Sequence, residues 1–428
     1  MKMQELHTGI LIIGAGPAGL AAASAALNSG KQILIADDNP LPGGQIWRGG
    51  PGKVRDARAA LFWDRCQNAL NVQWLHSARL VAFSHPHEAI FELPEKVVSV
   101  RFERLILCNG GRELLLPFDG WTLPGVTGAG GLQALIKAGA DVRGKRIVIA
   151  GTGPLLLAVA ETAQKAGAEV LLVAEIQPIF KLMRFMGQLI LHHRSKALQA
   201  ISLYWSLKKI PYLSNIIIEK AAGDGQLAEV HFRRGDQLMT VQADLLACGF
   251  GVTPNTEIAR LLGCSTGGGA VIHDERQCTS VPHIYVAGEI TGFGGVEKAI
   301  AEGHIAGLAA SDQSISHGDE VRREEAQHFM GLLRDTFAVN DEVRRLASDS
   351  TLVCRCEDVP VAELRQHASW RSAKLITRAG MGACQGRICG AACQTMFGWD
   401  APELRQPVFP CRTSTLAAIA ASSLKEAK

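Results

Sequence analysis

Two short β-rich runs, residues 9 to 14 and 31 to 36, each with an apolar stretch of four, flank the alanine-rich segment GAGPAGLAAASAALNSG. Apolar runs of that length bounded by glycine read as buried strands, and the alanine-rich stretch between them as a helix. Together they predict one strand, turn, helix, strand unit. The same order returns at residues 144 to 175, GKRIVIAGTGPLLLAVAETAQKAGAEVLLVAE. Between the two units, residues 104 to 126 read as a strand that leaves one domain through a Gly/Pro-rich crossover. A matching exit lies at 243 to 258, and residues 283 to 310 give a strand, a glycine loop and a long helix. The pattern predicts an α/β chain with two Rossmann-like dinucleotide-binding domains, one inserted in the other. The first covers 1–125 and 245–312, and the second 126–244.

Residues 176 to 215 interrupt the second domain with IFKLMRFMGQLILHHRSKALQAISLYWSLKKIPYL, which predicts amphipathic helices rich in Lys and Arg. They read as partner-binding or core-capping helices with their cations in solvent, and a membrane-surface helix is the alternative. A polar linker, 313–345, leads to a small C-terminal domain, 346–428, where cysteine is dense.

Composition narrows the function. At 428 residues, 47% hydrophobic and 20% charged, the chain can bury a large core in two or three domains. The net charge of +3 demands no nucleic acid and at most a peripheral membrane contact. The first apolar stretch is broken by glycines and Pro17, and Lys2 is the one basic residue ahead of it, so a signal peptide is disfavoured and a cytoplasmic location expected. Thiols there stay reduced, so the eleven cysteines are no disulfide framework. Six of them lie at or beyond Cys354, which marks that segment for metal.

Gly14, Gly16 and Gly19, with Pro17 and Ala18 between them, have the GxGxxG spacing directly between a strand and a helix. Such glycines permit a tight turn, approach of the backbone to a pyrophosphate, and close packing of helix on strand. Asp37, at the end of the second strand, is the acid expected to hold ribose hydroxyls. In the second unit Gly151 and Gly153 remain, but Leu156 stands at the third position, and Glu175 is the candidate ribose acid. NAD, NADP, a non-reacting ADP or ATP, and an empty fold all stay open there. PLPGGQIWR, with Gly44 and Gln45, resembles the loop that two-dinucleotide-domain flavoproteins of the glutathione-reductase-like type lay along their flavin. VAGEITG, with Gly288 and Glu289, resembles their second FAD signature, with Glu where Asp is usual. That resemblance implies FAD. No closely spaced cysteine pair precedes Cys354, and Cys66, Cys108, Cys248, Cys264 and Cys278 read as core residues.

Cys354 and Cys356 are separated by one residue, Cys384 and Cys389 by four, and the two pairs by 27. Four thiolates suit zinc or an iron–sulfur cluster, and the one-residue gap favours a 2Fe-2S centre. The stretch VCRCEDV…KLITRAGMGACQGRICG resembles the bacterioferritin-associated-ferredoxin-like 2Fe-2S module. The whole chain resembles the α subunits of heteromeric flavin amino-acid dehydrogenases, a group of opine oxidases, D-hydroxyproline dehydrogenase and hydrogen cyanide synthase. By that resemblance Cys354, Cys356, Cys384 and Cys389 are cluster ligands, and Cys393 and Cys411 are packing residues. Arg355, Arg378 and Arg387 either set positive charge around the cluster or form a solvated rim.

The resemblance implies an electron-transfer subunit of a complex that oxidises a C–N bond to an imine. Its partner would be a β subunit of the D-amino-acid-oxidase type with its own flavin, and a small ferredoxin-like γ subunit is a further candidate. An NADH-dependent reductase feeding its own cluster, and a nucleotide-binding scaffold, are the rival readings. No catalytic acid or base is assigned, because His192, His193, His273 and His304 are expected to have no clustered carboxylate partner and read as surface or capping residues.

Overall fold

The strand Gln4–Ile13 is longer than the apolar run that signals it. Its whole length pairs in parallel with Val97–Leu107, from Gln4 opposite Val98 to Ile13 opposite Leu107, although its first half is polar. Its apolar second half is sandwiched, because Ile10 to Ile13 also pair with Ile33 to Ala36. A strand buried on both faces reads as a continuous apolar run, and Ile10 to Ile13 are all buried. The computed structural model describes residues 3–54 and 56–426, so Lys2, used above to weigh a leader, lies outside the described residues.

The chain divides into two compact units. One is Met1–Arg112, Thr253–Met330 and Leu404–Lys428, and the other is Glu113–Val252 and Gly331–Glu403. Among the described residues the first holds a seven-stranded sheet in the order Val72–Leu75, Ile33–Ala36, Gln4–Ile13, Val97–Leu107, Glu88–Glu92, Arg79–His85, with Ile284–Val286 also pairing Val97–Leu107. The helix Pro17–Ala26 is buried at nearly every position, which its alanines allow, because the helix Gly295–Ala310 packs on its open side. Contact is backbone to backbone: a Cβ at Gly303 or Gly307 would lie 2.2 Å from the carbonyl oxygen of Ala18 or Ala22.

The second unit is built on a five-stranded parallel sheet, in the order Tyr212–Ser214, Glu169–Glu175, Arg146–Gly151, Leu245–Gly249, Val126–Gly128. A three-stranded antiparallel sheet, Ile217–Ala222 to Gln242, adjoins it in sequence. The α/β class with two Rossmann-type folds and a helical C-terminal part is therefore present. The insertion forms two helices, Ile179–His192 and Arg194–Ser206. The polar segment expected as a linker carries the helix His317–Phe337.

Residues 346–403 share one hydrophobic core with the second Rossmann fold: Val353, Trp370, Cys393 and Trp399 cluster with Leu116, Phe118, Trp121 and Phe232. The last segment belongs to the first unit, where Gln406 brackets the Phe83 backbone, accepting from its N–H at 2.7 Å and donating to its carbonyl at 3.1 Å. Among the described residues no helix is long and apolar enough to cross a membrane.

Candidate functional site

The first glycine turn is shaped by close approach. Gly14 has φ +107°, which L side chains rarely adopt, and a Cβ there would lie 2.3 Å from the Cys108 carbonyl oxygen. A Cβ at Gly19 would lie 1.8 Å from the Gly14 carbonyl oxygen, so this glycine lets the helix sit on the turn. Gly16 precedes the helix, and Pro17 opens it where a missing N–H costs nothing. Asp37 accepts hydrogen bonds from the Ala15 N–H at 2.5 Å and the Asn39 N–H at 2.7 Å, which fixes its carboxylate at the mouth of the turn. The PGGQIWR loop folds back on that mouth. Gly43 donates to the Ala15 carbonyl at 2.8 Å, and a Cβ at Gly16 would meet the Gly44 Cα at 3.8 Å. Gln45 is exposed and accepts from Arg48 at 2.8 Å. Trp47 is buried beneath and donates from Nε1 to Asp56 at 3.0 Å, and the Arg58 guanidinium holds Asp56 down at about 2.

The second signature rests on a feature that sequence reasoning missed. Lys298 and Glu302, one turn apart on the helix Gly295–Ala310, are fully buried and paired at 2.9 Å. Lys298 Nζ also donates to the Gly288 carbonyl at 2.9 Å. Glu302 accepts from the Gly288 N–H at 3.0 Å and from the Thr291 hydroxyl at 2.7 Å. The pair thereby clamps the Gly288–Thr291 turn that carries Glu289. Burial raises the Glu289 pKa, with Lys298 opposing. The other carboxylate oxygen of Glu302 is buried without a partner among the described residues, and an acceptor so placed suits a ligand donor or water. The glycine cradle, the placed Asp37 and this clamped turn fit an FAD.

In the second unit, Glu175 repeats the Asp37 pattern. Its carboxylate accepts from the Gly153 and Gln177 N–H groups, each at 2.9 Å, but it is fully buried and its pKa is raised by desolvation. Tyr212 also bonds to it, and burial together with that anion pushes the phenol up. Leu156 packs its side chain toward Gly249, and the helix begins at Leu155. The Phe337 ring lies against Gly153, 3.8 Å from where a Cβ would stand, and the Ala338 carbonyl accepts from Gln177 at 2.9 Å. An aromatic ring therefore packs against the second glycine turn.

The four C-terminal thiols are brought together. Cys356 and Cys384 interact directly, as do Cys384 and Cys389, and Cys354 lies within electrostatic reach of Cys356 and Cys389. A hydrogen bond from the Cys389 thiol holds Cys384 well below an ordinary thiol, whereas Cys389 itself is pushed up. Cys354 accepts from the Gly380 N–H at 3.5 Å, and a Cβ at Gly382 would lie 2.2 Å from the Cys356 Cβ, so both loops must stay slim. Trp121 anchors the first loop, donating to the Leu352 carbonyl at 2.6 Å while Arg355 lies 5.1 Å over its ring. Arg378 pairs with Glu357 at 2.9 Å, and Arg387 donates to the Cys384 carbonyl at 3.2 Å. Trp370, packed against Gly380 and Gly386, has a buried Nε1–H with no partner among the described residues. Among those residues no three His, Cys, Asp or Glu side chains stand as a ready-made metal cage. Four soft sulfur donors on two slim loops are the side-chain chemistry that an iron–sulfur centre takes.

Of the remaining cysteines, Cys66, Cys108, Cys248, Cys264 and Cys393 are buried, and Cys278 and Cys411 are partly buried. Burial pushes Cys66 and Cys393 up to about 12 and Cys278 up to about 11. One expectation needs correction. His304 does have a carboxylate neighbour, Asp319, at 3.4 Å, brought close across the bend between two helices. Burial lowers the His304 pKa.

Comparison with known proteins places this geometry. Residues 8–304 match the family described as pyridine nucleotide-disulphide oxidoreductase. The chain is 33% identical to the A subunit of opine oxidase from Rhizobium meliloti, over 89% of this chain and 90% of that protein. It is 30% identical to the HcnB subunit of hydrogen cyanide synthase from Pseudomonas aeruginosa, over 94% and 96%. The crystal structure of L-proline dehydrogenase from P. horikoshii superposes with a TM-score of 0.68 at 16% identity, covering 97% of this chain and 80% of that one.

Proposed function

The chain belongs to the pyridine nucleotide-disulphide oxidoreductase family, beside the opine oxidase A subunits, and from that membership we propose that it is the electron-transfer subunit of a heteromeric enzyme oxidising an amino-acid or opine C–N bond. The observation that carries the reading is the coexistence of a built dinucleotide turn at Gly14–Gly19 and a four-thiol network at Cys354, Cys356, Cys384 and Cys389. Bound there, FAD supplies a two-electron acceptor able to release electrons singly, and a 2Fe-2S cluster a one-electron carrier.

The residues divide the work. Gly14, Gly16, Pro17, Ala18 and Gly19 would receive the pyrophosphate at the helix start, and Asp37 the ribose hydroxyls. Gly44 and Gln45 would lie along the cofactor, and Gly288 and Glu289 on the turn clamped by Lys298. The four cysteines would hold the cluster, with Trp121 fixing the first loop. Substrate would meet a separate β subunit with its own flavin, and electrons would leave to a quinone or another respiratory acceptor.

Direction of flow is supported by the second unit. Leu156 in the third glycine position and Phe337 over Gly153 disfavour NADH as the electron source, so Gly151, Gly153 and Glu175 serve as a structural copy of the first turn. Anaerobic mixing tests the proposal. The chain purified alone should carry FAD and iron, yet its flavin absorbance should persist with D-hydroxyproline, octopine, glycine or NADH. Addition of the partner should permit bleaching by one of the amines. Substrate turnover by the chain alone refutes its role as an electron-transfer subunit, and rapid bleaching by NADH reverses the direction of electron entry.

A further inference from the structure

The insertion helix Ile179–His192 is apolar on two sides. Its inner side is served by Phe185, whose ring meets Phe337 edge-on at 5.1 Å, and by the buried Leu189. Its outer side carries a second apolar set: Ile179, Phe180, Met183, Ile190 and Leu191 are each more than half exposed. At 100° per residue these five fall within an arc of about 120°. On the following helix, Leu198, Ile201 and Trp205 repeat at helical spacing and are also exposed, Trp205 by 63%. Core-capping explains the inner residues of the pair and leaves the outer ones unexplained. A contiguous exposed apolar face marks a docking surface.

Charge identifies what docks. Residues 176–218 contain Lys181, Arg184, Arg194, Lys196, Lys208 and Lys209 and no Asp or Glu. The chain totals +3, so outside this segment it is net acidic. Four of the six cations are lysines, which protein–protein interfaces deplete. Flexible Lys stems beside exposed Phe, Leu and Trp instead suit a surface where headgroups take the ammonium ions and acyl chains the apolar side chains. We propose that this helix pair docks the chain on the surface of an anionic phospholipid bilayer. The docking is peripheral, since neither helix is long enough to span. It stands independently of the electron-transfer reading.

Flotation of the purified full-length chain with vesicles tests it. Vesicles containing phosphatidylglycerol should carry the chain upward, and pure phosphatidylcholine should bind it on the order of tenfold less. Raised salt should weaken the binding. A variant with Phe180→Glu, Leu191→Glu and Trp205→Glu, all at exposed positions, should keep its flavin absorbance and fail to float. Brominated acyl chains should quench tryptophan emission in the parent chain and much less in Trp205→Phe. Failure of the parent chain to bind phosphatidylglycerol vesicles overturns the proposal, as does equal flotation of the triple variant. Absence of vesicle binding together with self-association that the triple variant abolishes would assign the face to a protein contact and overturn it equally.

Discussion

Replacement of Cys384 by serine should strip the iron from the protein while leaving its flavin in place. The thiols of Cys356 and Cys389 both converge on Cys384, whose pKa is held well below an ordinary thiol while theirs are pushed up, so it is the readiest thiolate of these three. Metal binding needs the deprotonated sulfur, and serine oxygen is a poor substitute for a soft ligand. Iron should fall from about two per chain, the content of a 2Fe-2S centre, to a small residue, with loss of the reduced-state EPR signal. FAD absorbance should survive, because Cys384 lies in Gly331–Glu403 and the FAD turn lies in Met1–Arg112. Cys393→Ala supplies the contrast. Cys393 is also buried beside the network, but burial holds it protonated, and alanine preserves an apolar site. That variant should keep its iron. Retention of iron and EPR signal by Cys384→Ser, or equal loss by Cys393→Ala, would remove the ligand assignment, and zinc in the parent protein would replace it with another metal.

How far each feature could be read from sequence follows from the range of the interactions that create it. The first glycine turn is legible because its constraints are local: strand, turn and helix lie within thirty residues, and Gly14 and Gly19 exclude a Cβ by contacts with the backbone. The four cysteines announce themselves by residue type, but their convergence depends on Gly380, Gly382, Trp370 and Trp121, whose contacts no periodicity reveals. Phe337 reaches Gly153 from a polar segment that composition presents as a linker. The partnership of His304 and Asp319 needs the chain to turn between helices. Lys298 and Glu302 mislead differently. A Lys and a Glu four apart normally denote a solvated helix face, and the surrounding Ala and Gly of VEKAIAEGHIAGLAA are the signal that this face is packed.

Lys298→Met should be among the most damaging single changes in the first unit. Its methylenes fit the space, but the ammonium is lost from three acceptors, the Gly288 carbonyl, Thr291 Oγ1 and Glu302. Glu302 would remain fully buried with an uncompensated carboxylate, since its N–H and hydroxyl donors carry no formal charge. Breaking a buried pair in this way costs about 3–5 kcal/mol. An exposed pair of the same spacing, Lys165 with Glu161 at 2.8 Å, provides the comparison, and Lys165→Met should change stability by less than about 1 kcal/mol. The loss at Lys298 should appear as a lowered urea midpoint and as early release of flavin, because the pair holds both backbone groups of Gly288 on the turn bearing Glu289. Adding Glu302→Gln to Lys298→Met removes the stranded charge and keeps an amide oxygen for the Gly288 N–H, so the double variant should be more stable than the single one. A Lys298→Met protein with parental midpoint and flavin retention would show that the clamp contributes nothing to either. A double variant weaker than the single would show that the carboxylate itself, not its pairing, holds the turn.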